Sequence, residues 1–224
     1  MKPITKVNTY VFAITTSFIY FLWNHISFLN VNSLFLDLLI TFIFSLSFYK
    51  FVYKLLTFRC NNCRLIRKFI LGKYYFEGLW IGFYIYNDIP ELCYETIEQT
   101  LDHITIKGRG FDINGKYISS WIAVEPFIDI EESKITYYYE LNELNYDDIA
   151  MGLARATIEW DKHNKACRCE GFAIDGETTK KQFFLSIKEN DDAYSAQDSD
   201  LLLQNLILKR AHEICLKNKD IASI

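Results

Sequence analysis

The chain has 224 residues, half of them hydrophobic and 17% aromatic, with a formal net charge of −4. Residues 1–73 hold nine Lys or Arg and one acid, Asp37, whereas the remainder holds 15 basic and 27 acidic residues. So acidic a remainder excludes the extended basic face that long DNA or RNA requires, but not a small anion held by a few arginines.

The first elements are apolar. Residues 10–29 contain no Asp, Glu, Lys or Arg, and residues 33–56 are rich in Leu, Ile and Phe as far as Lys50. Each is long enough to cross a hydrocarbon core of about 30 Å, where only a helix satisfies its own backbone. The expectation is a transmembrane hairpin over 1–58. Lys2 and Lys6 precede the first span, and Lys54, Arg59, Arg64, Arg67, Lys68 and Lys73 follow the second. The excess of basic residues places both ends in the cytoplasm. A cleaved signal peptide fits less well, because a second span follows at once with no small-residue cleavage site. His25 and Asp37 fall near the outer ends of the two spans, as a polar seam between hairpins or as groups reaching the interface. Residues 59–73 read as a basic juxtamembrane linker.

From residue 74 the pattern changes to short alternating segments rich in Tyr, Phe, Ile, Val and Thr. Strands are expected at 74–86, 92–97, 103–107, 116–124, 134–141, 152–160, 167–174 and 181–188. They are separated by the turn signals Asn87-Asp88, Asn114-Gly115 and Asp175-Gly176 and by a polar stretch at 161–165. About eight evenly spaced antiparallel strands predict a small up-and-down β-barrel over 74–190, with a sandwich as the alternative. Residues 191–224 read as an acidic linker and a C-terminal helix reaching about Lys217. On that helix Leu203, Ile207, Ala211 and Ile214 form a stripe at helical spacing, suited to packing on the barrel.

No catalytic constellation is present: there is no GxSxG, HExxH, P-loop or paired-carboxylate motif. His103, His163 and His212 are far apart in sequence. Cys60-x-x-Cys63 and Cys167-x-Cys169 are each half of a metal motif, but no His joins either pair, and ordinary reduced cysteines are the reading. The expectation is a non-enzymatic protein without cofactor or metal.

The segment Gly78-Leu79-Trp80-Ile81-Gly82-Phe83-Tyr84 resembles the opening strand of lipocalin-like barrels, in which the Trp plugs one end and the Gly lets the backbone bend. Alternation puts Gly78, Trp80, Gly82 and Tyr84 on one face, taken as inward. With the hairpin, Ser119-x-Trp121, Tyr137-Tyr138-Tyr139 and Gly171-Phe172 leading to Ile174-Asp175, nearly the whole chain resembles a bacterial effector family. These are the effectors of cyclic-oligonucleotide-based antiphage systems (CBASS) that carry two transmembrane helices and a β-strand-rich domain.

The resemblance implies an inner-membrane protein whose cytoplasmic barrel binds a cyclic dinucleotide, assembles into a homo-oligomer and disrupts the bilayer through its hairpins. Bases can stack on aromatic rings and phosphates can pair with Arg, so the expected ligand residues are Tyr84, Arg109, Trp121, Tyr139 and Arg155. The alternatives are a membrane-anchored lipocalin-like module for a lipid or other apolar molecule, and a scaffold with a filled barrel. Polar aromatics and arginines in the lumen favour the first reading, an aliphatic lumen the second, and no lumen the third.

Overall fold

The computed structural model describes residues 3–26, 34–144, 150–175, 181–189 and 201–218. The chain divides into two compact units, residues 1–72 with 100–102, and residues 73–99 with 103–224.

In the first unit α1 (Pro3–Ile26) packs along α2 (Leu34–Asn62), and α3 (Arg64–Leu71) follows after a single residue. Val7, Val11, Val52, Cys60 and Ile70 form a small core, and the Phe18 and Phe48 rings stack at 3.7 Å. The buried Arg67 holds the α2–α3 corner, donating from Nη1 to the carbonyls of Cys60 at 3.2 Å and Asn61 at 2.5 Å. The stretch read as a linker is therefore largely helical. Leu65 and Phe69, four apart on α3, are 78% and 73% exposed.

Among the described residues no helix is long and apolar enough to cross a membrane. The two expected spans are thus not shown. Thr15, Thr16, Ser17 and Asn24 dilute α1, and α2 runs on through Lys50, Lys54 and Arg59 to Asn62. Residues 27–33 and the side chains of His25 and Asp37 lie outside the described residues.

The second unit is a closed antiparallel barrel of eight strands. They are β1 (Gly78–Tyr86), β2 (Ile89–Gln99), β3 (Ile104–Phe111), β4 (Tyr117–Val124), β6 (Lys134–Glu143), β7 (Ala150–Trp160), β8 (Ala166–Asp175) and β9 (Lys181–Lys188). A short ninth strand, β5 (Phe127–Asp129), pairs only with β6. Neighbours in sequence pair throughout, β1 pairs with β9, and β4 pairs with β6 through Trp121 opposite Leu141, which closes the ring. Closure removes the unpaired edges that an open sheet would expose. The β1–β2 hairpin turns on Asn87 and Asp88, both at positive φ, as a two-residue turn matched to strand twist requires.

Trp80 and Phe76, both fully buried, fill one end of the lumen. Their rings stack at 6.1 Å, and Trp80 Nε1 donates to the Phe76 carbonyl at 3.0 Å. Gln99 fastens the segment that precedes β1: its Oε1 accepts from Phe76 N at 2.8 Å, and its Nε2 donates to the Tyr74 carbonyl at 2.6 Å. Gly78 adopts φ 138°, a conformation closed to L side chains, as the chain bends into β1.

Strands β1 and β2 are buried on both faces. Their outward residues Leu79, Ile81, Phe83, Leu92 and Tyr94 are covered by α4 (Leu201–Lys217), through Ile207, Ala211, Ile214 and Cys215. The expected helical stripe therefore packs on the barrel. The Leu203 side chain and the acidic stretch 190–200 lie outside the described residues.

Candidate functional site

Alternation along each strand decides what the lumen contains. At the end opposite Trp80 it forms a cavity of about 100 Å³, open on one side. Tyr84 from β1, Glu91, Cys93 and Glu95 from β2, Ser119 and Trp121 from β4, and Tyr137, Tyr139 and Glu143 from β6 line it. Asp175 from β8 and Gln182, Phe184 and Ser186 from β9 also line it, with Ala154 of β7 among the smaller residues of the wall. An apolar cavity of about 150 Å³ binds benzene, so this smaller space takes only the leading edge of a flat ring system, with the remainder of the molecule left outside.

Room for the aromatic rings comes from glycine on the paired strand. Gly108 faces Trp121 and Gly152 faces Tyr139. A Cβ at Gly108 would lie 1.9 Å from the Trp121 ring, and one at Gly152 2.2 Å from the Tyr139 ring. Each ring lies over bare backbone, which lets a narrow barrel hold large side chains and still keep a cavity.

Two carboxylates organise the polar groups. Glu95, 7% exposed, receives hydrogen bonds on Oε1 from Trp121 Nε1 at 3.0 Å and from the Tyr137 hydroxyl at 3.2 Å. Asp175 receives the Tyr139 hydroxyl on Oδ1 and Gln182 Nε2 on Oδ2. Tyr84 pairs with Ser119 Oγ at 3.2 Å and also hydrogen-bonds Glu91.

Burial pushes the Glu95 carboxyl up, and the bonds from Trp121 and Tyr137 offset part of that rise. Burial also raises Glu91, with a hydrogen bond from Tyr84 opposing the rise and the nearby charges of Glu143 and Asp112 adding to it. The hydroxyls of Tyr84, Tyr137 and Tyr139 are pushed far above their ordinary value, first by burial and then by neighbouring acids. They remain protonated, and therefore donors, at any physiological pH.

Of the five ligand residues expected from sequence, the structure brings Tyr84, Trp121 and Tyr139 together in the lumen. Arg109 and Arg155 are not there. Arg109 has the parity of the exposed Lys107, and Arg155 that of the exposed Met151 and Thr157, so both point away from the lumen. Arg109 instead borders an outer groove with Lys107, Tyr117 and Gln204, where Lys107 pairs with Glu98 at 2.7 Å. The residues that sequence reasoning missed are Glu91, Glu95, Asp175 and Gln182. Among the described residues no cluster of His, Cys, Asp and Glu could hold a metal ion.

No family model matches the chain, and no curated protein matches it. Among solved structures, a biogenic amine-binding protein, solved as its selenomethionine derivative, aligns over 52% of this chain at 14% identity and a TM-score of 0.35. The chain spans 66% of that protein's length. A likeness at this level carries neither ligand nor activity over to this chain.

Proposed function

We propose that the chain is a membrane-attached antiphage effector whose barrel senses a cyclic dinucleotide by taking one of its bases into the lumen. The observation that carries the reading is a small one-ended cavity walled by the rings of Tyr84, Trp121, Tyr137 and Tyr139. Stacking on such rings contributes about 1–3 kcal/mol per base. Phosphates stay outside, since neither Arg109 nor Arg155 faces inward. The lumen's acids and tyrosines also count against the lipid-binding alternative, for which an aliphatic wall is the expectation.

The bilayer part of the proposal rests on the helical unit. Phe12, Tyr20 and Phe21 of α1 and Phe42, Phe44, Phe51 and Phe58 of α2 are more than half exposed, far more apolar surface than a soluble unit of this size ordinarily presents. Leu65 and Phe69 on α3, interleaved with Arg64 and Lys68, suit the headgroup boundary. The proposal places the barrel in the cytoplasm, where the messenger is made, and assigns no chemical step. One two-helix hairpin cannot enclose a water path, so ligand binding acts by favouring an oligomer, limited by its differential affinity for the two states.

The test uses cells that synthesise a cyclic dinucleotide. With the full chain, uptake of an impermeant dye should rise; with residues 1–58 deleted it should not, although the protein still binds the messenger. Dye uptake undiminished by the deletion would show that the helices are only an anchor.

A further inference from the structure

We infer that the lumen is an acceptor-rich cup: the group that enters is flat and brings adjacent N–H donors of its own. This deepens the reading above by naming the part of the ligand that the site recognises.

The argument is an inventory of hydrogen-bonding capacity. The strong donors of the wall are already directed onto protein oxygens: Trp121 and Tyr137 onto Glu95, Tyr139 and Gln182 onto Asp175, and Tyr84 onto Glu91, with the Ser119 hydroxyl 3.2 Å from the Tyr84 oxygen. The acceptors are not exhausted. An ionised carboxylate offers about four lone-pair sites, and two bonds are formed at Glu95 and two at Asp175. Glu91 and Glu143 add further acid nearer the mouth, and among the described residues no Lys, Arg or His lines the cavity.

A phosphate brings only acceptors and negative charge into this space. It would lose its hydration and meet no cation, only a few hydroxyls among several acids, so its desolvation is poorly compensated. A group with two adjacent N–H donors does the reverse, because it can meet one carboxylate through two parallel bonds, as a guanidinium does. Its flat body would lie among Tyr84, Trp121 and Tyr139. The amino–imino edge of guanine has this chemistry. An arylalkylammonium shares the essential features of donor hydrogens beside an apolar ring, and its charge gains further from the acids. Uracil, with one N–H between two carbonyls, does not.

Calorimetry on the full chain in detergent separates these sources with three probes: cyclic di-GMP, cyclic di-UMP and tryptamine. Cyclic di-GMP or tryptamine should bind at least about ten-fold more tightly than cyclic di-UMP, and Glu95→Gln or Asp175→Asn should weaken that binding by about ten-fold or more. Glu91→Gln, at a half-buried position, gives the same readout should either buried variant fail to fold.

Tryptamine binding without any dinucleotide binding upholds the donor rule and removes the cyclic-dinucleotide reading. Equal binding of cyclic di-GMP and cyclic di-UMP leaves that reading intact and overturns the donor rule. Binding that is indifferent to all three carboxylate variants, or absent for all three probes, also overturns it.

Discussion

Gly152 lies directly opposite Tyr139 on the β6–β7 ladder, and the Tyr139 ring occupies the space that any Cβ at position 152 would need. Gly152→Ala must therefore push the ring or the strand. The expected cost is about 1–3 kcal/mol of stability, read as a lowered melting temperature. Because Tyr139 turns away from Asp175 in the process, lumen ligands should bind more weakly as well. An unchanged melting temperature would mean that the ring has somewhere else to go.

The plug at the closed end is a fully buried pair of aromatic rings. Trp80→Ala removes a fully buried ring that stacks on Phe76, and should cost about 3–5 kcal/mol in denaturant unfolding. A loss below about 1 kcal/mol would show that this end of the barrel collapses around the gap.

Strand parity yields a contrast. Arg109→Ala and Arg155→Ala act on outward, exposed positions, so each should change stability by no more than about 0.5 kcal/mol and leave the affinity of any lumen ligand unchanged. A large loss of affinity in either variant would move the binding site to the outer face of the barrel.

The pH dependence has a definite sign. The folded protein raises Glu95 above its ordinary value of 4.5 through burial, so the folded state holds that proton to higher pH than the unfolded chain does. The associated stability is fully present below about 4.5 and is lost as pH rises through the folded value. Glu91 contributes with the same sign. Between about pH 4.5 and about pH 7.5, wild-type protein should lose more melting temperature than Glu95→Gln. A parallel pair of curves would mean that Glu95 titrates as it does in the unfolded chain.

The C-terminal helix should matter to the barrel. Ile214 is buried against the outer faces of β1 and β2, and Ile214→Ala should cost about 2–5 kcal/mol in chemical unfolding. An effect near zero would detach α4 from the fold's stability.

How far these relationships could be read in advance depended on which periodicity carried them. Alternation with turn punctuation placed all eight barrel strands, and 181–188 was matched residue for residue by β9. The inward assignment of Trp80 and Tyr84 followed from the same parity. β5 was too short to leave a pattern. α3 was taken for a linker because Arg64, Arg67 and Lys68 made it look solvated, whereas Arg67 is buried and caps carbonyls at the helix corner.

The site was legible in its aromatics and not in its acids. Glu95 has the parity of Cys93 and Ile97, and that neighbourhood was the available sign that it points inward. An acid in an alternating strand is usually solvent-facing, which hid Glu95, and Asp175 was read as half of the turn signal Asp175-Gly176 although it is the last residue of β8. Arg109 and Arg155 were chosen for their chemistry rather than their parity, and parity decided the matter.

With one end filled by Trp80 and Phe76, the lumen is a vessel with a single door, so a ligand must leave by the way it came. Residues at that door set the height of a barrier crossed in both directions, whereas Glu95 and Asp175 set the depth of the well behind it. Alterations at the rim that meet the passing ligand but not the bound one therefore change how fast the barrel fills and empties by a common factor and leave the half-saturating concentration where it was. Response time and sensitivity are in this way adjustable at separate places on the molecule.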